Sequence, residues 1–329
     1  MHTATLHLLG PGMVGCSMLR QLTGLPVLLV AVSDSRGTVH DARGLDPVAV
    51  VAHRRAGRSV VELPNGFAAP TVDAVRRVQA DFVVDATPTD PRGTEAAVAR
   101  GDAALDHGAF LALCAKNALA AACGRWLQPP LRSRLGINAS LGGSGRQFLR
   151  ELDSLRADCT GLALVGNVTT TVVLQAVESG ASVAEGIEVA RRRGLLEPDP
   201  TLDLDGSDAA TKLCAVWNAL FSGPTAPRAG PETVERQDIR GVDVRTVRER
   251  VARGATTRLV ARGGRDGGLR VGFEELPAGS PLAAPPDRVV YGYERPSGLH
   301  VHHGTALGHD RTAAALLVDV RAALGLPVP

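Results

Sequence analysis

Of the 36 basic side chains in this chain of 329 residues, only Lys116 and Lys212 are lysines, and all the others are arginines. Arginine stays protonated in a protein, whereas a lysine in a desolvated or cation-rich pocket can release its proton near neutral pH. Among the lysines and arginines, a side chain able to exchange its proton is therefore found in two places only. Drift toward a composition rich in Ala, Arg, Gly and Val would leave the same trace, so the neighbours of each lysine decide. Lys212 follows the run Glu197-Pro198-Asp199-Pro200-Thr201-Leu202-Asp203-Leu204-Asp205-Gly206-Ser207-Asp208. Its prolines and glycine predict an ordered loop, and Ser207 is placed to cap a helix running from Asp208 to about Phe221. Asp208 and Lys212 then stand one turn apart on one face. On a solvated surface such a pair is worth only tenths of a kcal/mol. This helix also carries Leu213, Cys214, Val216, Trp217, Leu220 and Phe221, which leaves little of its circumference for water. A paired charge on a mostly apolar helix points to a functional role.

The elements that must position these groups begin at the N-terminus. Thr3 to Leu9 is apolar and strand-length, Gly10-Pro11-Gly12-Met13-Val14-Gly15 follows, and Cys16 to Leu22 reads as helix. A strand, then GxGxxG, then a helix presents backbone N–H groups to a pyrophosphate, which predicts a bound dinucleotide, NADP or NAD. Pro26 to Val32 reads as a second buried strand, after which Asp34 stands where a carboxylate usually receives the ribose 2′-hydroxyl. Arg36, two residues on, can instead neutralise the extra phosphate of NADP, and the choice stays open. Strand Asp81–Ala86, helix Thr94–His107, strand Phe110–Cys114, helix Asn117–Trp126 and strand Leu135–Ala139 continue the alternation. The predicted fold is α/β: a Rossmann-type doubly wound parallel sheet plus a second, mixed α+β domain for substrate and dimerisation. The expected boundaries are 1–133 plus 304–329 for the nucleotide domain and 134–303 for the other. Lys116 lies just past the carboxyl end of a strand, where ligands of such sheets bind.

A net charge of +2 with scattered arginines gives no basic stripe for nucleic acid. Arg191-Arg192-Arg193 before Gly194 reads as a helix C-terminus. No apolar run reaches the ~20 residues that span a bilayer, and no basic leader precedes the first strand, so a cytoplasmic protein is expected. Five cysteines without CxxC spacing suggest neither disulfides nor a structural zinc site. His300, His302 and His303 look like metal ligands. On a strand, however, His300 and His302 share a face while His303 points away, and no Cys or Glu near them in sequence completes a set, so no metal is expected.

The run EPDPTLDLDGSDAATK ending at Lys212 resembles the catalytic segment EPDPTxDxxGxDxxxK of the homoserine dehydrogenases without a gap. DATPTDPRG (85–93) looks like the family's EATPTNPRTG, and GAFLALCAKNALA (108–120) is similar to its GKHVVTANKALLA. NASLGGSGR (138–146), GNVTT (166–170) and PSGLHVHHGTALGHDRTAAALLVDV (296–320) resemble further family segments, so the likeness runs over nearly the whole chain. It is most specific from Glu197 to Lys212, and both lysines fall on the family's two catalytic lysines.

The resemblance implies NAD(P)-dependent hydride transfer between L-homoserine and L-aspartate 4-semialdehyde in a homodimer. Lys212 and Lys116 would exchange the hydroxyl proton and stabilise the alkoxide, and Asp208 would position Lys212. Glu197 and Asp203 would hold the substrate's amino end, while Thr169 and Thr170 fix its polar head. Thr87, Lys116 and Gly308 would join the glycine turn around the cofactor. No amino-acid-sensing domain of the kind some relatives append is recognised, so feedback inhibition is not expected. The chain departs from the pattern at Ala115, Asn138, Val168, Ala306 and Leu307. Asn138 stands where relatives use a glutamate toward a monovalent cation. These changes admit two alternatives, an enzyme for a different small amino-acid alcohol or semialdehyde, and a catalytically silent dinucleotide-binding protein.

Overall fold

The computed structural model describes residues 3–196, 200–223, 228–283, 285–305 and 308–328. The chain forms two compact units, Met1–Arg146 with His309–Pro329, and Gln147–Gly308.

The first unit is built on strands β1 (Ala4–Leu9), β2 (Val27–Ser33), β3 (Thr38–His40), β4 (Gly66–Phe67), β5 (Phe82–Asp85), β6 (Phe110–Leu113) and β7 (Leu135–Gly136), in the order β4-β3-β2-β1-β5-β6-β7. The five strands from β2 to β7 along that order run parallel, and β3 and β4 add an antiparallel edge. Parallel strands are covered on both faces, which explains their continuous apolar runs. Leu6, Leu8, Val30, Val32, Val83, Val84, Leu111 and Leu113 are all buried. Helix Met13–Gln21 packs against helix Pro47–Arg55, while helices Thr71–Val78, Thr94–Asp106 and Lys116–Trp126 pack side by side. From β1 the chain moves outward to β2 and later returns to set β5 on the other side of β1. The crevice between β1 and β5 is thus the switch point where doubly wound sheets bind ligands.

Two details differ from the sequence-based expectation. Strand Leu135–Ala139 shrinks to Leu135 and Gly136, because Ile137 and Asn138 already accept the turn bonds of Leu141 and Gly143. The short edge strands β3 and β4 were not anticipated, since two or three residues give no periodic signal.

The second unit holds β8 (Gly161–Val165), β9 (Glu235–Arg236), β10 (Thr256–Gly264), β11 (Gly267–Leu276), β12 (Val289–Arg295) and β13 (Gly298–Gly304), in the order β13-β12-β8-β10-β11-β9. All pairings are antiparallel except that of β9 with β11. One face carries the apolar cluster Ala163, Val165, Val260, Leu276, Leu282 and Val290. Helix Ser207–Phe221 packs on β8, β10 and β11, and helix Val168–Glu178 packs on β10 and helix Val183–Arg192. Ser207 is not the cap of its helix. Gly206, at φ +82°, occupies the cap position, and the Asp205 carboxylate accepts the Ser207 N–H at 2.8 Å.

Candidate active site

In the first unit the site is made mainly of backbone. Gly10 leaves β1 at φ +80°, and a Cβ there would lie 2.9 Å from the Thr87 backbone just past β5. Only glycine therefore lets the two loops of the switch point meet. A Cβ on Gly15 would approach the Gly10 carbonyl oxygen to 2.3 Å, so the first helical turn can close on the loop only without a side chain. Gly12 is the helix N-cap with open space where its Cβ would stand, and Met13, the first helical residue, is exposed while Val14 is half-buried. N–H groups beside open space at a helix N-terminus are the arrangement a pyrophosphate requires. The cradle fits a dinucleotide.

Asp34, just after β2, accepts backbone N–H bonds from Val60 and Arg36 at 2.9 Å, the Ser59 hydroxyl at 2.9 Å and an Arg54 N–H at 3.1 Å. Burial works to raise its pKa, but these donors and the Arg54 charge outweigh it and hold the carboxyl below its usual range. With these donors and the Gly37 N–H at 3.3 Å on two oxygens, Asp34 orders its own loop and has little capacity left for a ribose hydroxyl. Arg36 is mostly exposed beside it, and Arg54 also donates to the Pro11 carbonyl of the glycine turn at 3.4 Å. Thr87 is likewise engaged, donating its N–H to Asp85 and accepting from Arg100 at 2.9 Å. Lys116 opens its helix, and its N–H donates to the Thr89 hydroxyl at 3.2 Å. An ammonium at the positive end of a helix is placed where the backbone field opposes its charge. Gly308, at φ +71°, opens helix Gly308–Ala323.

In the second unit the site is made of side chains. Lys212 is 7% exposed, and its Nζ donates to Asp208 Oδ2 at 2.7 Å and to the Gly166 carbonyl. Gly166 admits that approach, since a Cβ there would already lie 3.3 Å from Lys212 Cδ. Asn167, which sequence reasoning did not single out, ties the constellation together. Its Oδ1 caps helix Val168–Glu178 at the Thr170 N–H, while its Nδ2 donates to Asp208 at 3.2 Å and to Asp203 at 3.3 Å. The signal was present as the asparagine of GNVTT. Thr169 and Thr170 are buried, and their hydroxyls donate to the Leu195 and Asn167 carbonyls, so both act through backbone placement. Val168 is buried in the first helical turn. Tyr291 of β12 is fully buried, and burial first, then the Asp208 charge, pushes its phenol pKa upward. Glu197 lies outside the described residues, as do Ala306 and Leu307.

Nδ2 of Asn138 donates weakly to the Ala315 carbonyl at 3.5 Å, and its backbone N–H goes to Asp319 at 2.8 Å. His303 is exposed on β13, whereas His300 and His302 turn together toward helix Gly145–Asp158 and meet Glu151. The expectation that no acid completes a set with these histidines is corrected, because Glu151 is remote in sequence and adjacent in space.

A sequence model described as homoserine dehydrogenase matches residues 149–320, and one described as glutamate/leucine/phenylalanine/valine dehydrogenase matches residues 1–105. The chain is 29% identical over 208 residues to an NAD(+)-dependent homoserine dehydrogenase of Pseudomonas canavaninivorans, covering 60% of this chain and 58% of that protein. It is 25% identical over 312 residues to a homoserine dehydrogenase of Methanocaldococcus jannaschii, covering 89% and 87%. A hyperthermophilic archaeal homoserine dehydrogenase solved in complex with NADPH superposes with a TM-score of 0.74 at 20% identity over 99% of both chains, which shows a common fold. With the family model spanning more than half of its length, the chain belongs to the homoserine dehydrogenase family.

Proposed function

We propose that this enzyme interconverts L-homoserine and L-aspartate 4-semialdehyde with a nicotinamide dinucleotide. The observation that carries the reading is the buried Lys212 ammonium, held at 2.7 Å by Asp208 and by the Gly166 carbonyl. An ion pair this buried costs desolvation that a structural role would avoid with an apolar residue. When bound, the dinucleotide supplies the hydride acceptor or donor. An alcohol carbon yields hydride as its oxygen loses a proton, so a positioned amine lowers that barrier by exchanging the proton and steadying the alkoxide. Lys212 takes this role, Asp208 and Asn167 fix its position, and Lys116 is assigned as the second amine. Asp203 and Glu197 bind the substrate's ammonium by charge.

The same reading assigns the cofactor as NADP. Asp34 is spent on its own loop, and Arg36 and Arg54 stand beside it as phosphate-binding cations. A homodimer belongs to the reading and is checked by sedimentation. Among the described residues no helix is long and apolar enough to cross a membrane. The buried Val168 beside Asn167 supports the second reading, a different small amino-acid alcohol as substrate. Following reduced-cofactor absorbance with homoserine and a panel of ω-hydroxy amino acids tests all of this. Turnover of homoserine above every other member is expected. Preference for another member moves the assignment to the second reading, and no turnover with any member overturns both.

A further inference from the structure

Glu151, His300 and His302 form a cluster that the proposed reaction does not use. β13 sets His300 and His302 on one face, paired across the ladder with Tyr293 and Tyr291 of β12, and helix Gly145–Asp158 brings Glu151 over them. Nε2 of His300 lies 2.7 Å from Glu151 Oε2, Nε2 of His302 lies 3.0 Å from the same oxygen, and the two nitrogens are 3.1 Å apart. Three metal-ligand atoms thus make a nearly equilateral triangle.

Hydrogen bonding cannot satisfy all three contacts. The carboxylate oxygen only accepts, and each ring nitrogen presents either a proton or a lone pair. If both nitrogens carry protons, both can donate to Oε2, but the two N–H groups then crowd each other. If one is bare, its lone pair faces the carboxylate. A single cation reconciles the three, since an ion about 2.0–2.2 Å from each atom sits just above the plane of so small a triangle. His302 is fully buried and its Nδ1 has no hydrogen-bond partner, so every polar contact of this ring runs through the shared Nε2. His300 and Glu151 are partly exposed, at 37% and 31%, which leaves the open side of the triangle to solvent. Two imidazoles and one carboxylate suit zinc and its first-row neighbours, whereas calcium and magnesium prefer all-oxygen sets.

We propose that Glu151, His300 and His302 bind one divalent first-row transition ion of the zinc class, pinning edge strand β13 to helix Gly145–Asp158. The test uses the full chain stripped with a chelator and dialysed against zinc chloride, with bound metal measured by atomic emission. One zinc per chain is expected, with a rise in Tm on the order of 5 °C at a hundredfold excess over Kd. Cobalt in its place is expected to give visible d–d bands without the near-ultraviolet absorption of thiolate ligation, which separates this site from the chain's five cysteines. Glu151→Gln and His300→Asn, each close in shape to the original, are expected to weaken zinc binding by at least about 100-fold, since loss of even an outer-shell partner costs about 10–100-fold. His303→Asn on the outer face leaves it unchanged. Circular dichroism of each stripped variant checks that the fold is retained. No stoichiometric zinc in the wild type, equal zinc in all variants, or a thiolate band with cobalt overturns the proposal.

Discussion

The two compact units hold their candidate sites by opposite means. At the glycine turn the decisive feature is missing matter, for Gly10 and Gly15 sit where any Cβ would strike backbone. At Lys212 the decisive feature is a buried charge held by Asp208, Asn167 and the Gly166 carbonyl. A backbone site depends on shape and tolerates most changes of side chain around it. A side-chain site depends on ionisation and hydrogen bonding, and changing one partner leaves another buried and uncompensated. Substitutions in the glycine turn should therefore act on folding and cofactor affinity, and those at the two lysines and their partners on turnover.

The largest effect tests that division directly. Lys212→Arg keeps the positive charge but removes the exchangeable proton near neutral pH, and Lys212→Met removes both. Each is expected to cut kcat by about 10²–10⁴ with little change in the KM for cofactor, measured by steady-state kinetics. A wild-type kcat in the arginine variant would break the contrast, because position 212 would then supply charge alone. Lys116→Arg is expected to cut kcat to a similar extent.

Gly15→Ala probes the other side. The added methyl meets the Gly10 carbonyl at 2.3 Å, and neither helix nor loop can yield without moving the turn. A loss of about 2–3 kcal/mol in denaturant stability is expected, with weakened cofactor binding by fluorescence titration. Turnover per cofactor-saturated enzyme should fall far less than in Lys212→Arg. An equal loss of kcat would show that the turn also sets the reacting geometry.

The two sites were legible in the sequence to different degrees for the same reason. A backbone site leaves its mark as spacing, and strand, GxGxxG and helix could be read directly from 3 to 22. The Asp208 to Lys212 pair was also legible, because both partners lie on one helix turn. Asn167 was not, since it reaches Asp203 and Asp208 across 36 and 41 residues. Glu151 was hidden from His300 and His302 by an even longer separation. Strand β8 was missed although it lies centrally in its sheet, because five residues buried on both faces show no alternation. Asp34 was placed correctly in the chain, but its saturation by Ser59, Val60 and Arg54 depends on a loop that folds back from beyond residue 50.

That last point yields a smaller, sharper prediction. If Arg36 supplies charge to a 2′-phosphate while Asp34 only orders the loop, Arg36→Ser is expected to raise the KM for NADPH about tenfold and leave that for NADH nearly unchanged. Equal KM changes for both cofactors would move Arg36 from phosphate recognition to loop structure.

The remaining effect concerns two buried titratable groups of the first unit whose pH dependences oppose each other. His7 lies in β1, bonded through Nε2 to the Ser33 hydroxyl at 2.7 Å, and burial first, then the charges of His40 and His107, lower its pKa to about 3. Asp319 is buried against Gly136 and accepts the Asn138 N–H, yet burial outweighs that bond and raises its pKa to about 7. For His7 the unfolded chain binds the extra proton between about pH 6.5 and 3, so stability falls as pH drops through that window. For Asp319 the native state keeps the proton that the unfolded chain has released, so stability falls as pH rises from about 4 to 7. Each slope is worth on the order of 4–5 kcal/mol over its range, and between about pH 4 and 6.5 they offset. Asp319→Asn keeps an oxygen for the Asn138 N–H and removes one slope. Relative to wild type it should gain stability progressively from pH 4 to 7, which urea melts at stepped pH would measure. His7→Gln should show the reverse difference, gaining most at acid pH. Parallel pH curves for wild type and Asp319→Asn would mean that Asp319 ionises in the folded protein as easily as in the unfolded chain, which its packing against the edge of β7 argues against.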